Sequence, residues 1–184
     1  MQLTLYMITF ILYLLLIAST PDMPRKDLNI DQILSIHKQP ASQNEILTGI
    51  NIIPVKEEEA EEFIFKISHR IAEPKQFSFL GLEVEQFHLQ LDSLGRIDVV
   101  YITVDNKDIV NMLTNIMGSY QSATGVSFNA DNPLSVFAWD YKGMCVDLKL
   151  NAYRFKFEDK ILKDNATVVF NSCDMYTYLP LLRK

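Results

Sequence analysis

The chain has 184 residues, enough for one domain with a substantial hydrophobic core. Hydrophobic residues make up 48% and charged residues 22%, which excludes a disordered or collagen-like chain. The formal net charge of -6 would repel phosphate backbones, and Lys and Arg are scattered along the chain. Both features argue against nucleic acid as a partner.

An apolar leader opens the chain. Leu3 to Ala18 carry no charge, and as a helix they would span roughly 24 Å against the roughly 30 Å hydrocarbon core of a bilayer. That length lies between a secretory signal and a spanning helix, and cleavage would leave Ser19 or Thr20 as the first residue. No Lys or Arg precedes the run, so we expect residues 1–20 to be either a signal peptide or an N-terminal membrane anchor.

Residues 21–44 are polar and rich in proline, which predicts a linker that contains one short helix near Leu28 to His37. Asp27 or Asn29 would cap that helix. The rest of the chain, residues 45–184, is predicted to be a single domain.

A helix is predicted from about Val55 to Ala72, because apolar residues recur there at helical spacing. Five glutamates between Glu57 and Glu62 crowd its start, where negative charge complements the helix dipole. A calcium site or a site for a basic partner is the alternative, but the EF-hand spacing of acids around a glycine is absent.

Strands dominate the middle of the chain. Phe87 to Leu91 alternate with polar residues, Gly95 supplies a tight turn, and a second strand runs from Ile97 to Val104. Both faces of this second strand are apolar, which places it centrally in the sheet. Gly81, where the alternation changes phase, indicates a bulge before the hairpin.

A second helix is predicted to open at Asp105 to Asp108 and to end near Tyr120, and Ser119 to Pro133 reads as a loop. The last third predicts an antiparallel meander of about four strands, with a turn at Lys142-Gly143 and a final strand from Ala166 to Cys173. The predicted fold is therefore α+β: one domain with a mostly antiparallel sheet, a hairpin plus the meander, covered by two helices and preceded by the apolar leader helix.

Aromatic residues alternate along two of the predicted strands. Such a stripe is typical of the apolar side of a sheet packed on a helix, here the second helix, and any part that the helices leave uncovered would bind a partner. The candidate binding face consists of Phe137, Trp139, Tyr141, Tyr153, Phe155 and Phe157.

Catalytic chemistry has one weak candidate. Cys145, His88 and Asp92 project from polar strand faces, and a thiol hydrolase would follow if their strands were neighbours. No catalytic signature surrounds these residues, the spacing of His and Cys fits no zinc motif, and the glycines form no phosphate-binding loop. We therefore expect no cofactor and no metal.

Cys145 and Cys173 are the only cysteines. Their spacing matches no redox motif, so two buried free thiols are the default expectation and one disulfide in an oxidising compartment is the alternative.

Together these patterns predict an exported protein, periplasmic, extracellular or anchored by its N-terminal segment, with membrane contact through that segment alone. Its expected role is non-catalytic binding of another protein or of an envelope component. The alternatives are a small hydrolase with a site near His88 and a carrier for an apolar ligand, which would need a cavity beneath the aromatic stripe.

Overall fold

The computed structural model describes residues 25–56, 67–105, 108–127, 133–150, 156–157, 160–161 and 166–172. They form a mixed α and β structure with a mostly antiparallel sheet of many strands and two helices. The predicted leader, residues 1–20, lies outside the described residues.

The predicted linker helix exists, but the described part of its segment is packed into the fold. Strand β1 is Lys26–Leu28 and helix α1 is Ile30–Ile36. Asn29 caps α1. Its side-chain oxygen accepts a hydrogen bond from the Gln32 backbone amide, and the Gln32 side-chain oxygen accepts one from the Asn29 backbone amide. Leu28 and the Ile30, Ile33 and Ile36 side chains are buried in the main core.

Two short strands follow, one directly before the predicted long helix and one within its last residues. Strand β2 is Ile52–Pro54 and β3 is His69–Ile71, and the two pair antiparallel. Residues 57–66 lie outside the described residues, but His69–Ile71 are extended, so the predicted helix does not reach Ala72. Ile67 and Ile71 are four residues apart, a spacing that fits a helix. In the structure both are buried, Ile67 just before strand β3 and Ile71 at its end.

The central hairpin is confirmed. Strand β4 is Phe77–Phe79, β5 is Leu82–Leu91 and β6 is Ile97–Val104, and β5 pairs antiparallel with both β4 and β6. Leu80 and Gly81 have φ angles of 53° and 79°, so they form a tight two-residue turn between β4 and β5 where a bulge was predicted.

Helix α2 is Ile109–Met117, within the predicted range, and Gly118 ends it with a positive φ of 86°. The next segment was predicted as a loop, but Gln121–Ser127 form strand β7. The small polar residues of β7 carry little strand propensity, so its pairing with a neighbouring strand decides its conformation.

The remaining described strands are β8, Pro133–Tyr141; β9, Met144–Leu150; β10, Lys156–Phe157; β11, Lys160–Ile161; and β12, Ala166–Ser172. The main sheet has the order β1-β4-β5-β6-β12-β9-β8-β7, with β3 also paired to β5 and β2 to β3. The β8–β9 hairpin turns at Lys142 and Gly143 as predicted. Strands β7, β8, β9 and β12 are antiparallel neighbours in chain order, as in the predicted meander, while β10 and β11 form a separate two-stranded ladder. The far edge of β12 pairs with β6, which joins the meander to the central hairpin.

Both faces of the central strands are buried. The core face packs against α1 and α2 and carries Phe87, Leu89, Val100, Ile102, Val104, Val146, Leu148, Ala166, Val168 and Phe170. The opposite side, which we call the polar face, carries Gln86, His88, Tyr101, Thr103, Cys145, Asp147, Lys149, Thr167, Val169 and Asn171.

Candidate functional site

The predicted aromatic stripe on β8 is largely covered. Trp139 is 3% exposed, and its indole Nε1 donates a hydrogen bond of 2.9 Å to the Gly118 carbonyl at the end of α2. Phe137 and Tyr141 are half-buried against the same core. The helix predicted to cover the stripe therefore does so with its C-terminal end.

Tyr120 completes this cover. Its ring lies edge-on to Phe137, with centroids 4.8 Å apart, and edge-on to Trp139 at 5.8 Å. Tyr120 itself is 39% exposed, and Ile116 of α2 is 46% exposed. We call Ile116, Tyr120 and Phe137 the α2-end surface, which includes the two exposed large hydrophobic side chains of this region.

Only one residue of the other half of the predicted binding face lies within the described residues. Tyr153 and Phe155 lie outside the described residues. Phe157 belongs to the short β10–β11 ladder, where it is opposite Lys160. The structure therefore places only Phe137, Trp139 and Tyr141 on one strand.

His88, Asp92 and Cys145 do not come together. His88 lies on β5 and Cys145 on β9, with β6 and β12 between them, which amounts to about 14 Å at the usual spacing of strands. Asp92 lies in the β5–β6 turn, where its carboxylate accepts the Leu94 and Arg96 amides and pairs with the Arg96 guanidinium. These contacts, the Arg96 backbone amide first, hold the pKa of Asp92 below its usual range.

The cysteine expectation requires a correction. Cys145 is disulfide-bonded, where free thiols were the default. Cys173, the only other cysteine of the sequence, lies outside the described residues, directly after β12. The register sets Asn171 of β12 opposite Cys145, so the end of β12 runs beside Cys145. A bonded sulfur cannot act as the nucleophile of a thiol hydrolase.

The polar face holds the strongest electrostatic perturbations. Arg70, His88, Tyr101, Val169 and Asp147 form one row across β3, β5, β6, β12 and β9. Burial, followed by the nearby Arg70 charge, lowers the pKa of His88 to about 4, so its imidazole is neutral at physiological pH. Burial also raises the pKa of the Tyr101 hydroxyl, with a smaller contribution from Asp98.

A second row of the polar face lies one step along the strands. Thr103 and Thr167 share a hydrogen bond of 3.0 Å between their hydroxyls, and Lys149 is opposite Thr167. Burial lowers the pKa of Lys149 to about 8, and the Asp147 charge partly offsets this. Sequence patterns could not predict these rows, because they depend on β12 lying between β6 and β9.

Metal-binding clusters and membrane-spanning helices were sought in the part of the chain that the structure describes. There, no three His, Cys, Asp or Glu side chains are grouped as a metal ion would require. Neither described helix is long and apolar enough to cross a bilayer. No protein-family model, no curated protein and no solved structure matches the chain.

Proposed function

We propose that this protein is an exported interaction domain: one domain behind a signal peptide or membrane anchor at residues 1–20, with a non-catalytic role in binding another protein or an envelope component. The observation that carries the proposal is the disulfide at Cys145. Disulfides form and persist in the periplasm, the secretory pathway and the extracellular space, and are rare in the reducing cytosol. The charge-free run from Leu3 to Ala18 supplies the matching route of export.

The α2-end surface is the proposed contact region. Within the described residues, Leu94, Ile116 and Tyr120 are the exposed large hydrophobic side chains, and two of the three belong to this surface. Tyrosine is enriched at protein interfaces and among the residues that contribute most to binding. Leu94 stands apart at the tip of the β5–β6 turn, and single exposed leucines are common on protein surfaces.

The two alternative functions have less support. A thiol hydrolase would need Cys145, His88 and Asp92 together, and these residues lie on separate parts of the fold. A carrier for an apolar ligand would need space beneath the aromatic stripe. That position is occupied by the contacts of Trp139 with Gly118 and Tyr120.

Export is tested in the native host by determining the N-terminus of the protein and its digestion by protease added to cells whose outer envelope has been opened and whose cytoplasmic membrane is intact. We expect wild type to be digested, and a cleaved leader would leave a chain that begins near Ser19 or Thr20. A Leu14→Arg, Leu15→Arg double variant should stay inside the cell, whereas Thr9→Ser should behave as wild type. A soluble cytosolic protein that keeps Met1 would contradict the proposal.

Binding is tested with a photo-crosslinking residue placed at position 116 or, as the matched control, at position 94. We expect a discrete adduct with a single partner from position 116 and none from position 94, although Leu94 is the more exposed of the two at 71%. Equal labelling from both positions, or no adduct from either, would contradict a specific interface at the α2-end surface.

A further inference from the structure

Asp147 and Asn171 are two buried polar side chains on neighbouring strands of the polar face. Asp147 on β9 is 4% exposed and Asn171 on β12 is 7% exposed. The register sets Asp147 opposite Val169, and Asn171 opposite Cys145. Asp147 and Asn171 are therefore diagonal neighbours on the same face, within reach of each other's side chains.

Their hydrogen bonding is half complete. The Asn171 amide donates a hydrogen bond to the Asp147 carboxyl. One oxygen of each residue, Oδ1 of Asp147 and Oδ1 of Asn171, has no hydrogen-bond partner. Buried acceptors without partners are rare in native proteins, and two on one residue pair call for a single explanation.

A proton on the Asp147 carboxyl group would give both of these oxygens a hydrogen-bond partner. A carboxylate and an amide oxygen are each acceptors, so they cannot bond to one another while Asp147 is ionised. Once Asp147 is protonated, its hydroxyl becomes a donor. We propose that Asp147 and Asn171 form a cyclic acid–amide pair, in which the carboxyl O–H donates to Asn171 Oδ1 while the Asn171 N–H donates to the other carboxyl oxygen.

The surroundings favour the protonated form. Burial raises the pKa of Asp147 to about 6, against smaller opposing contributions from the Lys149 charge and the Asn171 amide. Lys149 lies two residues along β9, and on β8 the residues opposite Asp147 and Cys145 are Ala138 and Asp140. Across β12, the same row reaches the Tyr101 hydroxyl on β6 and then His88 on β5.

The pair links proton uptake to the disulfide-bearing end of the sheet. Because the Asp147 pKa is higher in the folded chain than the 3.8 of an exposed Asp, folding takes up a proton between these two values. The pair is closed below about pH 6 and opened by ionisation above it, beside the strand pair that carries Cys145. Mildly acidic surroundings would therefore tighten β9 against β12.

The wild-type protein provides the first test. We expect its infrared spectrum to show a protonated-carboxyl C=O band that disappears with a midpoint near the Asp147 pKa of about 6 and is missing in Asp147→Asn. In NMR, the side-chain amide of Asn171 should shift with the same midpoint. A carboxyl that titrates near 4, or an Asn171 amide that does not respond, would overturn the proposal.

Two variants separate the pair from simple burial. In Asn171→Leu, the C=O band of Asp147 should move to higher frequency because the carbonyl loses its donor; an unchanged band would overturn the proposal. Between about pH 7.5 and 5, the unfolding constant of wild type should fall about tenfold relative to Asp147→Asn. Asp140→Asn, which removes an exposed carboxylate from the adjacent strand, should follow wild type, and an equal effect in both variants would contradict the assignment.

Discussion

The two faces of strand β12 differ in chemistry although both are buried. Val168 and Phe170 point into a core of aliphatic and aromatic side chains. Thr167 and Asn171 point the other way, toward a hydroxyl and a carboxyl group, and Val169 between them packs in a small apolar cluster with Ile67, Val99 and Tyr101. The core face is held by the burial of apolar area, which has little directional preference, whereas the polar face depends on matched donors and acceptors. Substitutions on the core face should therefore change the free energy of unfolding most, and substitutions on the polar face should change its dependence on pH most.

The largest expected effect comes from the core face. Phe170 is 1% exposed and lies edge-on to Phe79, with centroids 5.9 Å apart. Phe170→Ala should lower the free energy of unfolding by about 3–5 kcal/mol, because it leaves a cavity among packed side chains. Urea titration, followed by the fluorescence of the single tryptophan, measures it, and Leu94→Ala is the exposed control, expected within about 0.5 kcal/mol of wild type.

The second effect belongs to the polar face and depends on pH. The pKa of His88 is about 4 in the folded chain and 6.5 when exposed, so the unfolded chain takes up its proton first on acidification. Stability is therefore lost as the pH falls from 6.5 to 4, by about 3 kcal/mol from this group. Asp147 changes in the opposite sense over nearly the same range, because its folded pKa is raised.

The two groups should nearly cancel in wild type, and removing one should reveal the other. Unfolding titrations between about pH 7 and 4.5 should show that His88→Gln becomes more stable on acidification relative to wild type, and Asp147→Asn less stable. If both variants kept the pH profile of wild type, the polar face would not hold these groups in the states described.

The smallest effect is the most direct comparison of the faces, because it uses adjacent residues and one substitution. Val168→Thr would bury a hydroxyl among apolar side chains and should lower the free energy of unfolding by about 1–3 kcal/mol. Val169→Thr places the same hydroxyl in the smaller cluster with Ile67, Val99 and Tyr101, between the polar residues Thr167 and Asn171, and should cost less, under about 1 kcal/mol. Equal losses in the urea titrations would show that the two faces do not differ as described.

Local patterns predicted the parts of this fold that local contacts determine. The β5–β6 hairpin, the Lys142-Gly143 turn and the helices around Ile33 and Leu113 follow from alternation, glycine at positive φ and helical spacing. The position of β12 does not, because the pairing of Ala166–Ser172 with β6 joins segments more than sixty residues apart, and alternation does not specify a strand's neighbour.

The same limit applies to the candidate site. The aromatic residues of β8 were identifiable from their alternation, and so was the helix that covers them. The separation of His88 from Cys145, the Asp147–Asn171 pair and the disulfide all depend on the order of strands. Because β12 lies between β6 and β9, the disulfide-bonded Cys145 is opposite Asn171 of β12, whereas His88 is opposite Tyr101 of β6.

The disulfide on the polar face is the basis for placing this domain in an oxidising compartment. Its most direct test is a count of free thiols in the protein isolated from its native host, with new thiols blocked at lysis, under denaturing and non-reducing conditions. We expect no free thiol before reduction and two after it, since the chain has two cysteines. Two free thiols before reduction would contradict both the disulfide and the exported location inferred from it.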